Sequence, residues 1–235
     1  MTDRKKALKG ISAALGMLLL VPALLLFSFD RAALDRGYHQ RLYDGLGSAR
    51  LGGVDEGTLS EIGNMLVDYL TGARDNLEMT ASVKGVEQPV INEREIAHMV
   101  DVKGLFDLER RITSVFAGLG LVLLLAGLIG RGWARRLTRA GIVGQVFWLM
   151  LIAFVAVWAW VDFDGLFRRF HGLLFTNDLW LLNPETDLMI RMLPEAFFAT
   201  LAAYAAAWML AGQALLAALW IAPVSISRKS RKENP

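Results

Sequence analysis

The chain reads as a mostly α protein, a four-helix transmembrane bundle with a small extracytoplasmic α-rich domain built from its two outer loops. Composition, the spacing of charge-free runs and the placement of cations lead to that expectation. Hydrophobic residues make up 54% of the 235 positions and mean hydropathy is positive, which suits a chain that meets lipid. Four runs lack a charged side chain: Gly10 to Phe29, Ile112 to Gly130, Ala140 to Val161 and Ala196 to Ser227. Each meets the roughly 20 residues needed to cross about 30 Å of hydrocarbon as a helix. The segments at the two ends and between runs two and three hold twelve Lys and Arg against only Asp3 and Glu233, a net +10 in a chain of net +2. Positive charge stays on the cytoplasmic face, so both termini and the middle loop are expected there.

That pattern divides the chain into a cytoplasmic tail (1–9), TM1 (10–29), an extracytoplasmic domain (30–111), TM2 (112–130), a cytoplasmic loop (131–139), TM3 (140–161), an extracytoplasmic interfacial loop (162–195), TM4 (196–227) and a cytoplasmic tail (228–235). The first apolar run follows Arg4, Lys5, Lys6 and Lys9 as a secretory signal would. It is too long for one, and Ser28-Phe29-Asp30 is a poor cleavage site, so it is kept as an anchor. Zero cysteines exclude disulfides, a thiolate nucleophile and a thiolate metal site. The charge asymmetry reports topology, and nothing in it suggests nucleic-acid binding.

Beyond the first run, Leu34, Tyr38, Leu42, Tyr43 and Leu46 recur at three and four, so the helix should continue amphipathically over Arg31 to Ala49. His39, within it, reads as an interfacial polar residue. Gly45, Gly47, Gly52, Gly53 and Gly57 mark a loop, and their spacing matches no phosphate-cradling pattern. Thr58 with Glu61 predicts a capping box opening a helix at Leu59, with Gly72 stopping it after Thr71. Leu77 to Ile91 alternates around Gly85 and fits a short hairpin or extended loop.

Asn92 and Glu95 form a second capping box, opening a helix of about Glu93 to Lys103 that should break at Gly104. Glu95, His98 and Asp101, three apart, lie on one face as an acid, imidazole, acid stripe, while Ile96, Met99 and Val100 are left for packing. A carboxylate beside an imidazole orients its proton and raises its basicity, as a general base requires. The same spacing also suits a solvated face with an incidental histidine.

The basic loop between runs two and three makes them antiparallel neighbours. In the second outer loop, Phe163, Leu166, Phe167, Phe170 and Leu174 predict a helix with a large aromatic face lying among the lipid headgroups. His171 falls at the margin of that face, where it reads either as a site residue meeting the lipid esters or as an interfacial residue. Asn177, Trp180 and Asn183 add donors nearby, though Trp180 also suits an interface anchor. Asn183-Pro184 reads as a helix cap with a first-turn proline, and Pro194 as the opening of the last span.

Two motifs, HMVDVK (98–103) before the second span and FHGLLFTNDLWLLNPETDLMIRMLPEAFF (170–198) before the fourth, carry a resemblance. The chain resembles the lipoprotein intramolecular transacylase (Lit) family of bacterial integral membrane proteins, over the four-span plan and roughly Arg94 to Phe198. Residues 34–90 match no pattern. The resemblance implies an enzyme of the bacterial cytoplasmic membrane, without a cofactor, whose partners are a diacylated lipoprotein substrate and membrane lipid. It would move an acyl chain from the sn-2 ester of the diacylglyceryl group to the α-amine of the same protein's N-terminal cysteine. The family's paired histidines would fall on His98 and His171, catalytic residues at the outer membrane–water interface, with Glu95, Asp101, Lys103, Asn177 and Trp180 supporting them.

The chemistry is compatible. An α-amine with a pKa near about 8 must shed a proton to attack an ester, and the glycerol oxygen must gain one on leaving. Two imidazoles, or one used twice, do both, and the reactants share one molecule. His98 would take the amine proton while His171 serves the leaving oxygen or the oxyanion with Asn177 or Trp180, or the roles reverse. Other readings keep the residues and change the chemistry: a hydrolase or acyltransferase acting on other lipid esters, a divalent metal held by both histidines with Glu95 or Asp101, or a membrane scaffold. A transporter fits less well, since only Gln145 and Gln213 bring strongly polar groups into the spans.

Overall fold

The structure, a computed structural model, describes the backbone of residues 3–233 and the side chains as far as residue 221. Helices α1 (Asp3–Ala33), α2 (Arg36–Leu46), α3 (Ser48–Gly52) and α4 (Glu56–Thr71) precede a hairpin of β1 (Thr80–Val83) and β2 (Val86–Pro89). Then come α5 (Glu93–Leu128), α6 (Trp133–Val161), α7 (Phe163–Leu174), α8 (Leu188–Met192) and α9 (Glu195–Glu233). Four of them are long and apolar enough to cross a membrane: α1, α5, α6 and α9, the last described over Glu195–Ile221. The side chains of the expected tail 228–235 lie outside the described residues.

The chain forms two compact units. The first takes residues 1–30, 109–157 and 205–235. Ala13, Met17, Val21, Leu25 and Ala140 are its buried centre. Small residues let α1 and α5 touch backbone to backbone: a Cβ on Gly16 would sit 2.5 Å from Leu124 N and 2.7 Å from Gly120 O. Gln145, one of the two span glutamines, donates to Gln213 O at 2.7 Å and accepts from the Trp220 indole at 2.7 Å. A buried amide in lipid needs such partners, and here they tie α6 to α9.

The second unit takes residues 31–108 and 158–204. Its core joins Tyr43, Leu59, Ile62, Met65 and Leu66 to Val83, Val90, Ile91, Met99, Met192 and Phe197. The hairpin pairs Thr80 with Pro89 through Val83 with Val86, and Lys84 and Gly85 both turn with positive φ, as a two-residue hairpin turn requires. The capping box at the start of α5 forms as expected: Glu95 N donates to Asn92 Oδ1 at 2.9 Å and Asn92 N to Glu95 Oε2 at 2.8 Å.

Several local expectations are corrected. The helix of about Glu93–Lys103 does not break at Gly104 but runs on to Leu128. One glycine costs a helix interior only about 1 kcal/mol, and the packing of Met99, Val102 and Phe106 against the core on either side of it offsets that. Arg31 to Ala49 is not one continuing helix. Asp35 interrupts it and caps α2, accepting from Tyr38 N at 2.9 Å. The glycine-rich loop contains α3, and α4 opens at Glu56, because Asp55 and not Thr58 is the cap, taking both the amide and the hydroxyl of Thr58.

Asn183-Pro184 makes a turn and no helix start, with Asn183 Oδ1 accepting from Glu185 N. Val100 is exposed. His39 is a core residue and not an interfacial one, buried against Tyr43 and Phe197.

Candidate active site

His98 stands on the second turn of α5, within the charged stretch that precedes the apolar part of that helix, and its side chain is buried. His171 sits near the end of α7. That helix starts where Asp162 Oδ1 accepts from Gly165 N at 2.8 Å and ends at Phe175, whose extended backbone donates to His171 O at 2.8 Å. The two imidazoles lie with ring centroids 6.3 Å apart.

Aromatic rings line the pair. Phe175 touches both, edge-on to His98 at 5.2 Å and stacked on His171 at 5.6 Å. Trp180 stacks on His171 at 5.0 Å, and Phe167 reaches it at 4.1 Å. His171 Nδ1 is 2.7 Å from Phe167 O. A carbonyl only accepts, so Nδ1 carries the proton and Nε2 the lone pair.

Burial dominates the electrostatics. It holds His98 down at about 4, assisted by His171 and Arg94 and opposed by Asp101. It also lowers His171, against the Phe167 carbonyl. Both rings are therefore neutral at pH 7, the form that accepts a proton.

The supporting residues separate into two groups. Asp101 Oδ2 accepts from Asn177 Nδ2 at 2.8 Å, and Asn177 Oδ1 accepts from Leu179 N at 3.1 Å, which fixes the segment carrying Trp180. Among the described hydrogen bonds none uses the Trp180 indole N–H. Glu95 and Lys103, by contrast, serve the framework. Glu95 is fully buried, and its second oxygen accepts from Met189 N at 2.6 Å. Desolvation pushes its carboxyl up. Beside it Asn92 Nδ2 donates to Asp187 Oδ1 at 2.9 Å, latching α5 to the turn before α8. Lys103 Nζ donates to Tyr69 O at 2.6 Å, closing the end of α4.

Among the described residues no group of three His, Asp or Glu side chains converges as a metal-ligand set. Sequence reasoning missed Phe175 and gave Phe167 only to lipid; it also missed Arg94. The signal for Arg94 was its place four residues before His98 on the stripe that includes Asp101.

The fold and site define a mostly helical membrane protein with a buried, aromatic-walled pair of neutral imidazoles, groups able to accept and return protons. The sequence matches the family described as "Lipoprotein intramolecular transacylase Lit" over residues 14–198. The chain belongs to that family, and is an integral membrane protein with four spans and a transacylase of the Lit kind.

The fold agrees. The chain is similar to the in meso structure of the lipoprotein intramolecular transacylase Lit from Bacillus cereus, with a TM-score of 0.71 and 21% identity over 97% of this chain and 100% of that one. A variant of that protein with a histidine replaced by arginine gives a TM-score of 0.73 at 20% identity, over 97% of this chain and 95% of that one. A further variant, with a histidine replaced by alanine, gives 0.73 at 20% identity over 96% of each chain. The comparison with curated proteins yields no match.

Proposed function

We propose that this protein transfers the sn-2 acyl chain of a diacylated lipoprotein to the α-amine of that lipoprotein's N-terminal cysteine, and that His98 and His171 carry the proton traffic. The observation that supports this most is the pair itself: two buried, neutral imidazoles 6.3 Å apart, on helices that begin or end beside apolar spans. In this reading both termini and the 131–139 loop are cytoplasmic, and the pair works at the outer membrane surface.

The amine nitrogen attacks the ester carbonyl carbon. A C–N bond forms, the carbonyl electrons move to oxygen, and the nitrogen's proton passes to His171 Nε2, the nitrogen its Phe167 bond leaves free. The Phe167 carbonyl on Nδ1 favours the imidazolium so formed. Collapse of the tetrahedral adduct breaks the C–O bond, and the proton goes to the glycerol oxygen. No acyl-enzyme is needed, because substrate and acceptor are one molecule. His98, whose Nδ1 is sealed without a partner, works through Nε2. Together with the Trp180 indole N–H it donates to the developing oxyanion.

The test is mass spectrometry of the N-terminal peptide of a diacylated lipoprotein before and after incubation with purified protein. Unchanged mass with one acyl group moved to nitrogen, and at least about a hundredfold slower transfer in His98→Ala and His171→Ala, is the expected result. Loss of one acyl mass would make the protein a hydrolase. Full transfer by either variant would remove that histidine from the reaction.

A further inference from the structure

Arg94, His98 and Asp101 stand at i, i+4 and i+7 of α5 and so form one stripe. Segment 177–181 is tied to both ends of that stripe. Asp101 holds Asn177, and Arg94 Nη2 donates to Asp178 O and to Leu181 O, the latter at 3.3 Å. Leu181 N closes the turn on Asp178 O at 3.1 Å. The two carbonyls held by Arg94 bracket Trp180, the residue whose indole stacks on His171.

The geometry points to Arg94 as a positioning residue of the transacylation site, seating the Trp180 indole against His171 by gripping the backbone on either side of it. This rests on the reading of His98 and His171 as the working pair.

Three observations carry it. Arg94 contacts main-chain oxygens only at the turn that presents Trp180. Its side chain is exposed, where a polar contact adds little to stability, so the grip sets the position of the turn more than it holds the fold together. One guanidinium nitrogen donates to both carbonyls, held there by a rigid planar group, which a lysine ammonium on a flexible stem does not reproduce. The same guanidinium adds a small push against a charged His98, whose neutral form burial already sets.

The experiment compares Arg94→Ala and Arg94→Lys with wild type and with Trp180→Phe, alone and combined, using initial transacylation rates, thermal unfolding in detergent and the fluorescence difference that Trp180 contributes. Arg94→Ala should lower kcat about tenfold or more, in keeping with the cost of a misplaced group, with KM changed less than about twofold and the melting midpoint nearly unmoved. Arg94→Lys should recover part of the loss. In the Trp180→Phe background, Arg94→Ala should add less than about twofold, because partners acting as one unit are not additive. The Trp180 fluorescence contribution should change in Arg94→Ala.

Full activity in Arg94→Ala, or losses that multiply in the double variant, would overturn the proposal. Should Arg94→Ala not fold, the same criteria apply to Arg94→Lys. Active His98→Ala or His171→Ala would sink the underlying reading, whereas inactive histidine variants with multiplicative Arg94 and Trp180 losses would sink this proposal alone.

Discussion

His98 shows how burial holds an imidazole in its neutral form, the form that can donate through Nε2. Its folded value near 4 lies below the ordinary 6.5, so the unfolded chain binds the proton more readily than the folded one. The sign follows directly: the stability tied to His98 is fully present above about pH 6.5 and is lost as pH falls toward 4, by an amount on the order of 3 kcal/mol. Thermal unfolding in detergent should therefore show a midpoint that drops over that window in wild type and drops less in His98→Gln. Trp180→Phe preserves a ring against His171 but removes the indole donor. We expect on the order of tenfold lower kcat with little change in the melting midpoint, and an unchanged kcat would take Trp180 out of the oxyanion's reach. His98 and His171 were legible as candidates, since three histidines in a chain leave few to choose from. Phe175 was not, because a helix-ending phenylalanine in an aromatic motif gives no sign of which ring it will touch.

Among the helices, α5 organises the second unit through its first three turns, and Glu95 is its most buried polar contact. Replacing it by alanine leaves the amides of Asn92 and Met189 without their carboxylate. We expect Glu95→Ala to destabilise the protein by roughly 2–4 kcal/mol, read as an earlier unfolding midpoint. A wild-type midpoint would mean that the latch between α5 and α8 contributes nothing. The Asn92–Glu95 box was readable because both partners lie within one turn. The bond from Glu95 to Met189 spans 94 residues, and no local pattern announces it. Gly104 misled for a related reason: a local breaker was weighed without the core contacts of Met99 and Phe106 on either side of it. At α4 the capping-box pattern of Thr58 and Glu61 hid the better cap three residues earlier, Asp55.

For the molecule as a whole, the four apolar runs gave the spans directly, because hydrocarbon thickness sets their length. How the helices pack was not readable, since glycines such as Gly16 carry no periodic signal. Gly16→Leu would drive a side chain into the α5 backbone, and we expect a loss of at least about 2 kcal/mol, seen as poor recovery of folded protein from detergent extracts. The proposed orientation has a clean test because the chain has no cysteine. A thiol reagent that cannot cross the membrane should label Glu87→Cys in intact cells and Arg131→Cys only after lysis. The reverse pattern would invert the topology.

Four of the residues that shape the second unit make contacts with one property in common, and it has a genetic consequence. Arg94 grips the oxygens of Asp178 and Leu181, Glu95 the amide of Met189, Lys103 the oxygen of Tyr69, and His171 the oxygen of Phe167. In each case one partner is a side chain and the other is main chain, which every amino acid supplies. Mutational tolerance should therefore be lopsided across these pairs. In a saturation library selected for function, positions 94, 95, 103 and 171 should be nearly intolerant, while 178, 181 and 189 accept many replacements that keep the backbone path. A record of substitutions would thus show one half of each contact standing still while the other drifts.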